Sequence, residues 1–362
     1  VTTTLPTASF CPGSITVPVT VTNFTGVASF SQTFSYNTAC LTYTGYQNLN
    51  GALSGGTFVA NASGGKVYMT WSSTTPVSFG NGTIVELLFT GVTGTSPLTW
   101  DVTNEGNCEY ADLAGSLITS VWVNGTETIY GLPALTSHPV SKIVAKGQNT
   151  TFSVTTTGSG LQHQWQISTD GGSIFTNLSN GGSYSNVTTT TLGISNAQLA
   201  MSGYQYRCRV TGNCNPVAFS DPATLTVLPN IITTCGTATG CPGNLVIPVN
   251  VTDFIGVAAL SVTLTYNPAS LTFTSCQNVN TALAGGTLTA NASGGKVYIT
   301  WASTTGATIA PGGLMLEVVF TGIPGTSSLT WDTQTPGNCE YSDPNGLVIF
   351  STWNNGNATI NT

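Results

Sequence analysis

The 362-residue chain is 40% hydrophobic yet only 5% charged, with six Lys plus Arg against thirteen Asp plus Glu and a net charge of -7. Ordinary globular proteins carry charge on roughly a quarter of their residues, so Thr, Ser, Asn and Gly must supply the solvent-facing positions here. The balance excludes a disordered chain, which would be charged and poor in apolar residues, and it leaves no basic patch for nucleic acid.

No run of 18 apolar residues occurs, so no membrane span is expected in this segment. Nine cysteines point to an oxidising compartment. Their spacing is wrong for zinc: no paired CxxC exists, and His138 and His163 have no cysteine nearby. Disulfides are the better reading. Ten Asn-x-Ser/Thr sequons follow from the abundance of Asn, Ser and Thr and are read as composition.

From the N-terminus the pattern is β. Ile15-Thr16-Val17-Pro18-Val19-Thr20-Val21 alternates apolar and polar residues. In the next run Ala28, Phe30, Phe34 and Tyr36 share a face interrupted by Gln32, with Ser29, Ser31, Thr33 and Ser35 on the other. Val67, Met69 and Trp71 mark a further strand. Gly-rich turns such as Ser54-Gly55-Gly56 separate these runs. About 230 residues later the segment returns, and 45 of its first 75 positions are identical. The second copy is cleaner, with Ala258, Leu260, Val262, Leu264 and Tyr266 on the apolar face.

The predicted fold class is therefore all-β, with three tandem β-sandwich domains at 1–130, 131–229 and 230–362. A duplicated domain suits a spacer, adhesin or multivalent binder better than an enzyme. The chain opens on Val1 and stops where the first copy passes to a linker, which reads as a piece of a longer array.

Several stretches of both copies resemble the cohesin domain. They include Cys11-Pro12-Gly13 with the strand that follows, and Phe24-Thr25-Gly26-Val27-Ala28. Tyr36-Asn37 followed by Leu41, repeated as Tyr266-Asn267-Pro268 and Leu271, carries Asn where the family carries Asp. Leu87-Leu88-Phe89-Thr90 and Trp122-Val123-Asn124-Gly125 also fit. The resemblance implies a nine-stranded jelly roll related to carbohydrate-binding modules. It further implies a binding role, best known toward calcium-loaded dockerin modules. The middle segment resembles bacterial immunoglobulin-like domains of large secreted surface adhesins: Trp165 suits the buried third-strand Trp, and Tyr206-Arg207-Cys208 the Tyr-x-Cys corner. Its second strand, Thr151-Phe152-Ser153-Val154, lacks the inter-sheet cysteine. Cys214 is the nearest partner for Cys208.

The cohesin resemblance implies disulfides Cys11–Cys40, Cys241–Cys276 and Cys235–Cys339, leaving Cys108 unpaired because Leu5 stands where the second copy has Cys235. The alternative pairs Cys11 with Cys108, Cys241 with Cys339 and Cys235 with Cys276, leaving Cys40. In either scheme one cysteine is left over to bond another chain or a neighbouring module.

The copies share five charged positions, Lys66/Lys296, Glu86/Glu317, Asp101/Asp332, Glu109/Glu340 and Asp112/Asp343. The closely spaced Asp101, Glu109 and Asp112, and likewise Asp332, Glu340 and Asp343, could hold calcium or simply accept backbone N–H bonds within their loops. No second carboxylate flanks a cleft, and no Ser-His-Asp set is credible with two histidines. The paired tryptophans Trp71/Trp301, Trp100/Trp331 and Trp122/Trp353 read as core, or as exposed platforms for sugar rings. The functional expectation is a non-catalytic, extracellular, cell-surface structural or adhesive segment of a long bacterial protein, of filamentous or gliding type. Its partners would be neighbouring modules or identical chains, with a glycan or other surface ligand. The alternative is a module that binds a dockerin or a carbohydrate.

Overall fold

A computed structural model describes residues 1–362. The chain is all-β, and its helical pieces are three short 3-10 turns at Gly51–Leu53, Leu199–Met201 and Thr281–Leu283. No helix is long and apolar enough to cross a membrane.

The first copy packs two sheets face to face. One runs in the order Val121–Val123, Thr2–Thr4, Gly13–Phe24, Gly80–Gly91, Leu41–Gln47. The other runs Thr7–Phe10, Gly125–Ile129, Gly94–Trp100, Val27–Ser35, Lys66–Val77, Thr57–Ser63, with Cys108–Ala111 also paired to Val27–Ser35. The period-two pattern decides which side chains go inside: Ile15, Val17, Val19 and Val21 are buried from one sheet, and Val67, Met69 and Trp71 from the other. Gln32, the polar interruption, is buried too, and its Nε2 donates to the Tyr110 hydroxyl at 2.6 Å. Val262 occupies its place in the second copy, where the same strand pairings recur. There the ladder Tyr341↔Ile349 and Ser342↔Val348 joins the sheets into one continuous path, whereas the first copy has only the single bridge Ala111↔Leu117.

Between the copies, Lys142–Ala145, Ala223–Leu228, Gln205–Thr211, Gln162–Ser168 and Thr176–Asn177 form one sheet, and Thr150–Ser153, Thr191–Ile194 and Tyr184–Ser185 face it. Trp165 lies opposite Cys208 and is fully buried, its indole N–H on the Thr189 carbonyl at 2.9 Å. Three separate apolar clusters, of 23, 14 and 28 buried residues, fill the first copy, the middle segment and the second copy.

The disulfide pattern differs from both sequence schemes. Cys11 bonds Cys214, 203 residues away, with the Cα atoms 5.7 Å apart. The pairs Cys11–Cys40, Cys11–Cys108 and Cys208–Cys214 are thereby replaced. Cys208 faces the core opposite Trp165 and Cys40 is buried within the first sandwich, whereas Cys11 and Cys214, each just past the end of a strand, meet across the junction between the two units. Cys108, Cys235, Cys241, Cys276 and Cys339 are also free, so Cys235–Cys339, Cys241–Cys276, Cys241–Cys339 and Cys235–Cys276 are not formed. Cys235 lies on the sheet strand opposite Val249, while Cys339 pairs with Val262 on the facing layer and aims its thiol at the Thr263 carbonyl. Burial pushes the Cys235 thiol up to about 12 and those of Cys208 and Cys276 to about 11, which keeps them protonated and unreactive.

Candidate binding face

The shared charges have structural partners. Lys66 Nζ lies 2.8 Å from Asp101 Oδ2, and Asn104 and Asn107 donate to the same carboxylate. The Lys66 hydrogen bond, supported by the asparagines, holds the Asp101 carboxyl well below the usual range. In the second copy Lys296 approaches Asp332 at 2.6 Å and Asn338 adds 2.8 Å, lowering that carboxyl to about 2. Asp112 accepts the Ala114 and Ser116 N–H groups at 2.9 Å, and Asp343 those of Asn345 and Leu347. Glu86 accepts from Gln47 and Asn48, as Glu317 does from Gln277 and Asn278.

These bonds turn the loop carboxylates toward their own segments. Asp101, Glu109 and Asp112 do not converge, nor do Asp332, Glu340 and Asp343, and no group of three metal-ligating side chains is formed. The calcium expectation thus finds no donor set of the kind that ion requires. The tryptophans are core: Trp71, Trp100, Trp301 and Trp331 are buried, and their indole N–H groups reach backbone carbonyls. Trp122 and Trp353 lie half-buried and stacked on Tyr110 and Tyr341 at 5.4 and 5.2 Å, so none of the six paired tryptophans is fully exposed.

Glu109 accepts only the Gly106 N–H at 3.0 Å, as Glu340 accepts only that of Gly337, and it borders a groove of about 370 Å³. Strand register builds this groove on the outer face of the sheet. One row runs Val59, Thr70, Ser31, Glu109; the next runs Thr57, Ser72, Ser29, Ala111; Leu117 forms the rim. Phe30 and Trp71, one residue out of phase, point inward. The second copy repeats the rows as Thr289, Thr300, Ser261, Glu340 and Thr287, Ala302, Ala259, Ser342. A hollow of about 150 Å³ remains there beside Glu340, with Val348 at the rim. Chemically each face offers hydroxyl donors and acceptors and one carboxylate on a flat surface, suited to hydrogen-bonding a polar partner. The rows were legible only as alternating Ser and Thr; which strands lie side by side comes from the topology.

Residues 1–129 match the family model described as Cohesin domain. Among solved structures, a non-cellulosomal cohesin from the hyperthermophilic archaeon Archaeoglobus fulgidus aligns at 21% identity, covering 35% of this chain and 89% of its own, with a TM-score of 0.31. A type I cohesin–dockerin complex from Clostridium thermocellum aligns at 14% identity over 36% of this chain and 99% of its own, TM-score 0.32. The I67–I69 I-band fragment of titin aligns at 12% identity over 99% of this chain and 97% of its own, TM-score 0.35. No curated protein matches. The first copy, residues 1–129, is thus similar in sequence to the cohesin domain family.

Proposed function

We propose that the chain is a non-catalytic, extracellular structural and adhesive segment of a long bacterial cell-surface protein. Two cohesin-like sandwiches, 1–130 and 230–362, are held at set angles by an immunoglobulin-like sandwich, 131–229. The observation that carries this reading is that both junctions are tied by side chains as well as by the backbone. Cys11–Cys214 bonds the first unit to the middle one. Lys146 Nζ lies 2.8 and 2.7 Å from the two Asp253 oxygens, bridging the middle unit to the second copy. A segment that only had to bind would not need fixed junctions, whereas one that transmits force or spaces its neighbours does. The test is small-angle scattering of the full chain. A stiff arm gives a narrow distribution of maximum dimension that broadens on mild reduction; a broad distribution in the oxidised chain would overturn the proposal.

A second reading is favoured by the cohesin match and the recurring hydroxyl rows: the outer faces bind a dockerin or a glycan. Titration of the full chain with calcium-loaded dockerins and on a glycan array tests it. Binding should be lost when Ser31→Arg and Ser261→Arg are combined, and binding that survives both changes would place the ligand elsewhere.

A further inference from the structure

Of the seven free cysteines, six are buried or half-buried and one, Cys241, is exposed. Its counterpart in the first copy is Cys11, the one cysteine of that copy engaged in a bond. The two positions are built alike. Thr7–Phe10 pairs in parallel with Gly125–Ile129, Phe10 opposite Ile129; Thr237–Gly240 pairs likewise with Gly356–Ile360, Gly240 opposite Ile360. Just beyond, the Tyr130 N–H donates to the Phe10 carbonyl and the Asn361 N–H to the Gly240 carbonyl, both at 2.9 Å. Each cysteine therefore stands beside the point where the last strand leaves its sandwich.

In the first copy the partner is known. Cys214 lies in the polar loop Gly212-Asn213-Cys214-Asn215-Pro216, and the sandwich carrying it is entered directly from that last strand. The linker is seated by Ser159, whose N–H donates to the Gly131 carbonyl while its hydroxyl accepts the Gly131 N–H. The bond lies between units and belongs to the core of neither, so a free Cys241 is not a missing internal staple.

We propose that Cys241 is a covalent docking site for a sandwich unit built like residues 131–229, seated against the C-terminal end of the second copy and bonded through a cysteine in a loop like Gly212–Pro216. Two thiols give up two protons and two electrons to one small-molecule disulfide, which leaves as two thiols, and one S–S bond forms. The proposal rests on the Cys11–Cys214 geometry and not on what the outer faces bind.

The test lengthens the full chain with a second copy of residues 131–229 after Thr362, refolded in a glutathione/glutathione-disulfide buffer and mapped by non-reducing peptide mass spectrometry. The expected result is Cys11–Cys214 together with a bond from Cys241 to the added copy's loop cysteine. Cys241→Ser should then leave that added cysteine open to alkylation. An added cysteine that stays free, or pairs elsewhere while Cys11–Cys214 forms, overturns the proposal. A second measurement uses the unlengthened chain: a maleimide applied under native conditions should label Cys241 at least tenfold faster than any other thiol, and faster labelling elsewhere also overturns it.

Discussion

Glu127 gives the sharpest energetic test. It sits in Gly125–Ile129, where alternate residues Gly125, Glu127 and Ile129 are buried, and neither of its carboxylate oxygens has a hydrogen-bond partner. Burial pushes its pKa from 4.5 up to about 7. An acid whose pKa rises on folding keeps its proton in the folded chain at pH values where the unfolded chain has lost it. Its stabilising proton is fully present below about pH 4.5; stability falls as pH climbs toward 7 and levels off above. At about 1.36 kcal/mol per pH unit, that window removes about 3 kcal/mol. The second copy carries Ala358 at this position, which makes Glu127→Ala a substitution the fold already accepts. Glu127→Gln keeps the volume while abolishing the titration. Calorimetric unfolding of the full chain between pH 4.5 and 8 should show one transition, that of the first copy, losing about 3 kcal/mol in the parent. It should lose almost nothing in either variant, with Glu127→Ala the more stable at pH 8. The same pH slope in parent and variants would refute the argument.

Three other outcomes are expected. Trp71→Ala, at a fully buried indole whose N–H bonds the Leu53 carbonyl, should cost about 3–5 kcal/mol in urea unfolding, and Trp301→Ala a similar amount in the second copy. Asp332, lowered to about 2 by Lys296, contributes stability that is present above pH 3.8 and lost as pH falls toward 2; Lys296→Met should flatten the acid limb of a urea-midpoint profile. Lys146→Ala should leave the three melting transitions within about 1 kcal/mol, while Cys11→Ser, which opens a loop of 203 residues enclosing the first copy, should destabilise that copy by about 2–5 kcal/mol; each should broaden the inter-unit distances read by fluorescence transfer across the affected junction.

Much of the fold was legible because a half-buried strand writes itself in period two and because the duplication shows each strand twice. Val262 in place of Gln32 removes the one polar interruption and makes the apolar face plain. The roles of Lys66 and Asp101 were also within reach, since both copies keep the pair together. The disulfide was not. Local pattern says which face a cysteine occupies, but Cys11 finds its partner across a junction, where docking geometry and not strand periodicity decides proximity. Glu127 left a readable trace, standing in phase with Gly125 and Ile129 and aligned with Ala358, yet no composition rule announces an unpartnered carboxylate in a core.

The parallel pairing of first and last strands has a mechanical consequence. Thr2–Thr4 lies beside Val121–Val123 and Thr7–Phe10 beside Gly125–Ile129, both in parallel, and the second copy repeats this with Asn230–Cys235 beside Val348–Asn354. Tension entering at the start of a sandwich and leaving at its end drags these neighbours past each other lengthwise. The hydrogen bonds between them run across the direction of pull and must yield together, not one after another as in an unzipping hairpin. The second copy is thus loaded in shear, the geometry in which a small sandwich resists extension best, whereas in the first the Cys11–Cys214 bond carries the pull past residues 12–213.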